Sequence, residues 1–250
     1  MQFRAAGQEQ APGGDQTAGQ HFTPFEEQRL AIMRDRYRIA ERSDSRRVGH
    51  QNTIDSRHRM RKSVAIYGGS FDPPHISHVL AAVYALKVGG FERVLVVPVY
   101  EHAFHKQLTP FQHRLRMAEL AFGGVAGIEV SAVERELATP SLTLRTLEHL
   151  AAAHPDWGMR LLFGSDVLGD KAKWHAFERI RELAPPYVLA RPGYEHPNVS
   201  AALLPDVSST RIREALAAAN DPAQEALLGV SLPEAVRAYI EEHGLYRPRA

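Results

Sequence analysis

From residue 63 onward, apolar runs of strand length alternate with segments of helical periodicity, and that alternation leaves few folds open. "SVAIYGG" reads as a strand ending in glycines, and residues 77–88, "SHVLAAVYALKV", place apolar residues at helical spacing. "RVLVVPV" is a second strand, and 110–122 predict a helix with proline in its first turn. "GIEVSAVE" is a third strand, and a helix over 141–153 takes Ser141 as its N-cap. "MRLLFG" is a fourth strand ending at Gly164, followed by a helix near 174–183 and the strand "YVLARPG". Helices near 209–219 and 232–243 close the chain. Strands that are apolar throughout are buried on both faces, which requires a parallel sheet covered by helices. The predicted class is a doubly wound α/β sheet. Ligands of such sheets bind beyond the carboxyl ends of the strands. Residues 68–78, 99–106, 164–175 and 191–194 are therefore expected to carry the chemistry.

Of the 250 residues, 44% are hydrophobic and 24% charged, enough for one sizeable core and a tail. The absence of cysteine excludes disulfides and thiolate chemistry and fits a reducing compartment. No apolar run approaches the roughly 20 residues of a membrane span, and the N-terminus lacks the apolar core of a secretory signal. A cytoplasmic protein with no membrane partner is expected. A net charge of +1 gives no reason to expect nucleic acid as a partner. Residues 1–62 differ from the rest, with 12 Lys/Arg against 8 Asp/Glu, while 63–250 hold 18 against 21. They read as a disordered or partly helical extension, with Phe25, Leu30, Ile32, Met33 and Ile39 forming an imperfect apolar stripe.

The stretch "YGGSFDPPHISH", 67–78, holds two glycines and two histidines in one turn. Gly68 and Gly69 let a ligand approach the backbone. The helix starting near Ser77 points its amides at the same place. His75 and His78 can donate to phosphate oxygens and stabilise negative charge. A triphosphate fits these features. The lysine ending of a Walker loop and the dinucleotide fingerprint are both missing. A metal reading of Asp72 with the two histidines fails because the prolines space them apart and no other cluster completes a site, so no protein-held metal is expected. "SSTRIR", 208–213, offers either a simple cap at Ser208 or Ser209, or a second phosphate site of hydroxyls, helix amides and Arg213. Arg211 reads as solvent-facing. Asp166, just past a buried strand, reads as an N-cap, and Trp174 as core.

"GGSFDPPHISH" resembles the phosphate-binding motif of the HxGH nucleotidyltransferase superfamily, in the form found in nicotinate-nucleotide adenylyltransferases. Ser77 stands where that family has glycine. The likeness continues in order through "HK" at 105–106, "PSLTLRTLEHL" at 140–150, "FGSDVLGDKAKWHAFERI" at 163–180, "LARPGY" at 189–194 and "VSSTRIREAL" at 207–216. Leu142 replaces the family's tyrosine, and the prolines usual around "HK" are absent.

The resemblance implies a Rossmann-like nucleotidyltransferase fold and adenylyl transfer from ATP, with Mg²⁺, to nicotinate mononucleotide. It implies that ATP meets Gly68, Gly69, Ser70, Phe71, His75, His78, Gly164, Asp166, Ser208, Ser209, Thr210 and Arg213, with His75, His78 and Arg213 catalytic. It implies that the mononucleotide meets His105, Lys106, Thr143, Trp174, His175 and Arg191, with His102 extending a basic rim. A different acceptor, such as nicotinamide mononucleotide or phosphopantetheine, and a non-catalytic nucleotide sensor stay open, as does a homo-oligomer.

Overall fold

A computed structural model describes residues 61–102, 107–167, 176–191, 204–218 and 221–247. The expectations placed on 1–60, His105, Lys106, Trp174 and His175 lie outside them. The first strand, β1 (Lys62–Gly69), leads into α1 (Ile76–Lys87), and β2 (Arg93–Pro98) into α2 (Phe111–Phe122). A short β3 (Ile128–Val130) and a 3-10 turn (Val133–Glu136) precede α3 (Thr143–Ala153). Then come β4 (Trp157–Gly164), α4 (Phe177–Leu183) and β5 (Pro186–Leu189). Three helices follow, α5 (Ser209–Ala217), α6 (Pro222–Ser231) and α7 (Glu234–Glu242).

The five strands form one parallel sheet in the order β3-β2-β1-β4-β5. Alternation along β1 shows why its sequence is apolar throughout. Ala65 and Tyr67 face a cluster with Ala82 and Ala85 of α1 and Phe122 of α2. Val64 and Ile66 face the opposite cluster, with Leu147 and Leu150 of α3 and Ile180 of α4. Side chains of this kind, fully buried, each contribute about 1.5–3 kcal/mol. A third cluster joins Met117 of α2 to Ile212, Leu228, Val236 and Ile240 of α5–α7. The chain leaves β1 toward β2 and β3, then returns to β4 on the other side. The crevice at that reversal, above β1 and β4, is where such sheets bind ligands.

Four local expectations need correction. The third strand is three residues long, because its tail coils into the 3-10 turn. Ser141 does not cap α3, which starts at Thr143 with Leu142 at the cap position; its hydroxyl instead accepts from the Glu101 amide at 3.1 Å. The fifth strand ends at Leu189, before the "RPG" segment. Helix α6 was not expected; Asp221 caps it through the Ala223 amide at 2.9 Å, and Pro222 begins it. No described helix is long and apolar enough to cross a membrane.

Candidate active site

A cleft of about 730 Å³ of empty space opens above the β1–β4 junction. Gly68, Gly69, Phe71, His75 and His78 line one side of it, and Gly164, Asp166 and Arg191 the other. A Cβ on Gly68 would meet no atom within 4 Å, so its side-chain position is open cleft, free for a ligand to approach the backbone. Ser70, between Gly69 and Phe71, gives its carbonyl to Arg114 Nη1 at 3.0 Å.

Phe71 carries the turn at φ 47°, a conformation that costs a bulky residue energy. Its ring is 1% exposed and held edge-on by Tyr67, His78 and Phe122 at 5.1–5.7 Å between centroids. That packing fixes the path into α1. At the start of α1 the two imidazoles stack at 3.7 Å. The His75 amide donates to His78 Nδ1 at 3.2 Å. This leaves the His78 proton on Nε2 as a donor. His75 is 2% exposed, and neither of its ring nitrogens has a hydrogen-bond partner among the described residues. A buried imidazole left in that state signals a ligand position, since an unpaired buried polar group is costly. Burial, aided by the Arg191 charge, lowers the His75 pKa to about 3. Burial, then His75 and Arg191, hold His78 well below its ordinary value. Both rings are neutral at pH 7.

Across the cleft, Arg191 Nη1 pairs with Asp166 Oδ2 at 2.8 Å, and Nη2 donates to the Val207 carbonyl at 2.9 Å. Asp166 is thus an ion-pair partner of Arg191, and the residues it could cap lie outside those described. It folds back over Gly164, where a Cβ would lie 2.4 Å from its Oδ1. The resemblance put Arg191 with the acceptor; the structure puts it in the cleft with both histidines.

The "SSTRIR" segment begins α5 and grips the turn from outside. Ser208 caps the helix, accepting from the Arg211 amide at 3.2 Å. The Ser209 hydroxyl donates to the Pro73 carbonyl at 2.9 Å. Arg213 donates to the Asp72 carbonyl at 2.7 Å and to Thr210 Oγ1 at 3.1 Å. Arg211 is solvent-exposed. Ser77, the departure from the family glycine, donates its hydroxyl to the Pro205 carbonyl at 2.7 Å and ties α1 to the segment entering α5.

The sequence did not single out Arg114, Glu134 or Tyr246, and Asp72 entered only as a rejected metal ligand. Asp72 is 3% exposed; it accepts from Tyr246 Oη at 2.7 Å and from the Thr109 amide at 3.2 Å. Arg114, 1% exposed, donates to the carbonyls of Ser70, Val99, Tyr100 and Thr109 at 2.6–3.2 Å. Burial lowers the pKa of its guanidinium, and the charge of Asp72 opposes that shift. Thr143, at the first position of α3, is half-buried.

A glycine turn, stacked imidazoles and a helix N-terminus stand together at the point where this parallel sheet reverses, the place where open α/β sheets bind their ligands. The cytidylyltransferase-like family matches residues 66–215, more than half of the chain. A relative from Anaeromyxobacter sp. (strain K), named a probable nicotinate-nucleotide adenylyltransferase, is 44% identical over 190 residues, covering 74% of this chain and 97% of its own. One of the same name from Myxococcus xanthus is 39% identical over 184 residues, covering 73% and 94%. The Plasmodium falciparum nicotinic acid mononucleotide adenylyltransferase complexed with NaAD superposes with a TM-score of 0.64 at 21% identity, covering 74% and 98%, a likeness of fold. The chain belongs to the cytidylyltransferase-like family and, within it, to the nicotinate-nucleotide adenylyltransferases.

Proposed function

We propose that the protein transfers the adenylyl group of ATP to nicotinate mononucleotide, giving deamido-NAD and pyrophosphate. The observation that carries this reading is His75, buried at the cleft floor with both ring nitrogens unpartnered; the 44% identity to a named adenylyltransferase supports the choice of reaction. An oxygen of the mononucleotide 5′-phosphate attacks the α-phosphorus of ATP. The bond from that phosphorus to the bridging oxygen breaks, and pyrophosphate leaves with the electron pair. No covalent enzyme intermediate is needed, so the protein's part is positioning and charge stabilisation.

The triphosphate lies over Gly68 and Gly69 against the α1 amides. His78 donates from Nε2, and His75 from whichever ring nitrogen carries its proton. Arg191 supplies fixed positive charge beside them. Ser208 and Thr210 use only lone pairs in their present bonds and keep O–H donors for the departing pyrophosphate. Arg213 keeps N–H donors beyond its two present bonds. The Ser209 hydroxyl is already given to Pro73, so Ser209 serves through its place at the helix start. Asp166 and Gly164 border the adenosine. His105, Lys106, Thr143, Trp174 and His175 hold the acceptor, with Trp174 stacking on the pyridine ring.

Mg²⁺ neutralises phosphate charge when bound with ATP. The described residues hold no cluster of three metal-binding side chains, and Asp72 has both carboxylate oxygens engaged by the chain. This donor set fits a metal carried on the nucleotide's own oxygens and water.

The test is turnover with ATP and a panel of nicotinate mononucleotide, nicotinamide mononucleotide and phosphopantetheine, followed by pyrophosphate release. The expected result is highest kcat/KM for nicotinate mononucleotide. Nucleotide binding without turnover of any acceptor would leave the sensor reading instead.

A further inference from the structure

Residue 100, just beyond β2, sits between two buried side chains of opposite charge. Its amide donates to Glu134 Oε2 at 3.0 Å, and its carbonyl accepts from Arg114 Nη2 at 3.2 Å. Glu134 is 7% exposed, although it comes from a charged stretch, "VERE", that would ordinarily be a solvated turn. Its other oxygen accepts from Thr146 Oγ1 at 3.0 Å, in the opening turn of α3. Thr146 is buried as well. Next to this, Glu101 and Ser141 exchange two bonds, amide to hydroxyl at 3.1 Å and amide to carbonyl at 3.0 Å. Glu134 therefore joins the exit of β2 to the entrance of α3, while Arg114 joins the same exit to the phosphate turn through Ser70.

A carboxylate is costly to remove from water, and cheaper apolar packing could fill a turn. What a carboxylate adds is two fixed acceptors, here used on two different segments. Those segments carry two residues that the resemblance assigns to the acceptor, His102 on one side and Thr143 on the other. Glu134 itself does not line the cleft.

We propose that Glu134 is a positioning residue for the acceptor substrate: by holding the Tyr100 amide and the Thr146 hydroxyl together, it sets the spacing between the β2 exit and the α3 entrance across which the mononucleotide is bound. The proposal rests on the functional reading above. It differs from a stabilising role because its effect falls on one substrate. ATP binds to the β1–α1 turn, which shares Arg114 with the β2 exit but is also held by Arg213, Ser209 and Tyr246, bonds that Glu134 does not touch.

The experiment compares full-length wild type with Glu134→Ala, Glu134→Gln and Thr146→Val, measuring KM for nicotinate mononucleotide and ATP, kcat, melting temperature and amide hydrogen exchange. Glu134→Ala leaves the Tyr100 amide unpaired, and a lost buried bond of this kind corresponds to about tenfold. The acceptor KM is expected to rise about tenfold, with the ATP KM nearly unchanged and exchange at the Tyr100 amide accelerated. Glutamine can accept from Tyr100 and donate to Thr146, so Glu134→Gln restores most of the loss. Thr146→Val keeps the Tyr100 bond and raises the acceptor KM by a smaller factor. Equal rises in both KM values with a lowered melting temperature would reduce Glu134 to a stabilising residue and overturn the proposal. If Glu134→Ala does not fold, a selective rise in acceptor KM for Thr146→Val sustains the proposal and its absence refutes it. Should wild type fail to use the mononucleotide at all, the functional reading falls and the substrate role of Glu134 falls with it. Exchange at the Tyr100 amide then still reports whether Glu134 holds the loop.

Discussion

The turn at 68–78 and the helix start at 208–213 both read as phosphate sites in the sequence, yet their polar groups stand in different states. In the first, His75 has no partner among the described residues for either ring nitrogen, and His78 keeps a donor on Nε2. In the second, four side chains of the motif already hold partners: Ser208 its own helix, Ser209 and Arg213 the turn, Thr210 the Arg213 guanidinium. Of these, only Ser208, Thr210 and Arg213 keep donors beyond those bonds, so the second motif also builds the first. A residue pattern does not separate these two duties. The inventory of donors already spent does.

The largest test of the difference is His78→Ala. Losing a donor used in the transition state should lower kcat by roughly 100-fold, with the melting temperature within a few degrees of wild type. Near-normal turnover in the folded variant would remove His78 from catalysis. Arg213→Ala should behave differently, since Arg213 holds the Asp72 carbonyl. It is expected to lose about tenfold or more in kcat and also about 1–3 kcal/mol of stability, the usual cost of an orphaned buried acceptor. A kinetic loss with unchanged denaturant midpoint would mean that Arg213 serves the phosphates alone.

The neutral histidines make a pH prediction. His75 has a pKa of about 3 in the folded chain, against 6.5 for an ordinary histidine. Between those values the unfolded chain binds a proton that the folded one does not, so stability rises with pH through this window and is fully present above 6.5. Each pH unit lost within the window should cost up to about 1.4 kcal/mol for each such histidine. Unfolding midpoints of wild type and His75→Asn from pH 4 to 8 measure it. Identical slopes would show that His75 is not buried neutral.

The smallest effect is expected at Ser231. Its hydroxyl, like the His75 ring, is buried without a partner among the described residues, but it lies in the helical core with Leu228 and Leu232 as neighbours in sequence. Ser231→Ala should be neutral or stabilise by up to about 1 kcal/mol and leave kinetics unchanged. A loss of stability would mean that the hydroxyl has a role after all, and an orphaned group would no longer distinguish cleft from core.

The sheet was legible because parallel strands must be apolar on both faces, and β1, β2 and β4 are. Helix α1 and its turn were legible because glycine, proline and histidine crowd one short span. What stayed hidden has a common cause. Arg114, Glu134 and Tyr246 look like surface residues in "HRLRM", "VERE" and "GLYR", and only the tertiary fold brings them the partners that make burial tolerable. Helix α6 had readable signals in Asp221 and Pro222, but its apolar pattern is broken by alanine and glycine. The roles assigned at Thr143 and Arg191 rested on the family resemblance of segments taken in order along the chain. Order does not reveal that Arg191 stands beside the imidazoles.

The bond from Tyr246 to Asp72 spans 174 residues. During synthesis the phosphate turn emerges from the ribosome long before the residue that completes it. The sheet can assemble strand by strand, since β1 meets β2 and then β4 as each is made. The nascent turn, however, carries a buried-to-be carboxylate with its phenol partner still untranslated. Closure of the turn is thereby postponed until residue 246 has been made, and a ribosome stalled short of it would display a folded sheet with an unfinished turn.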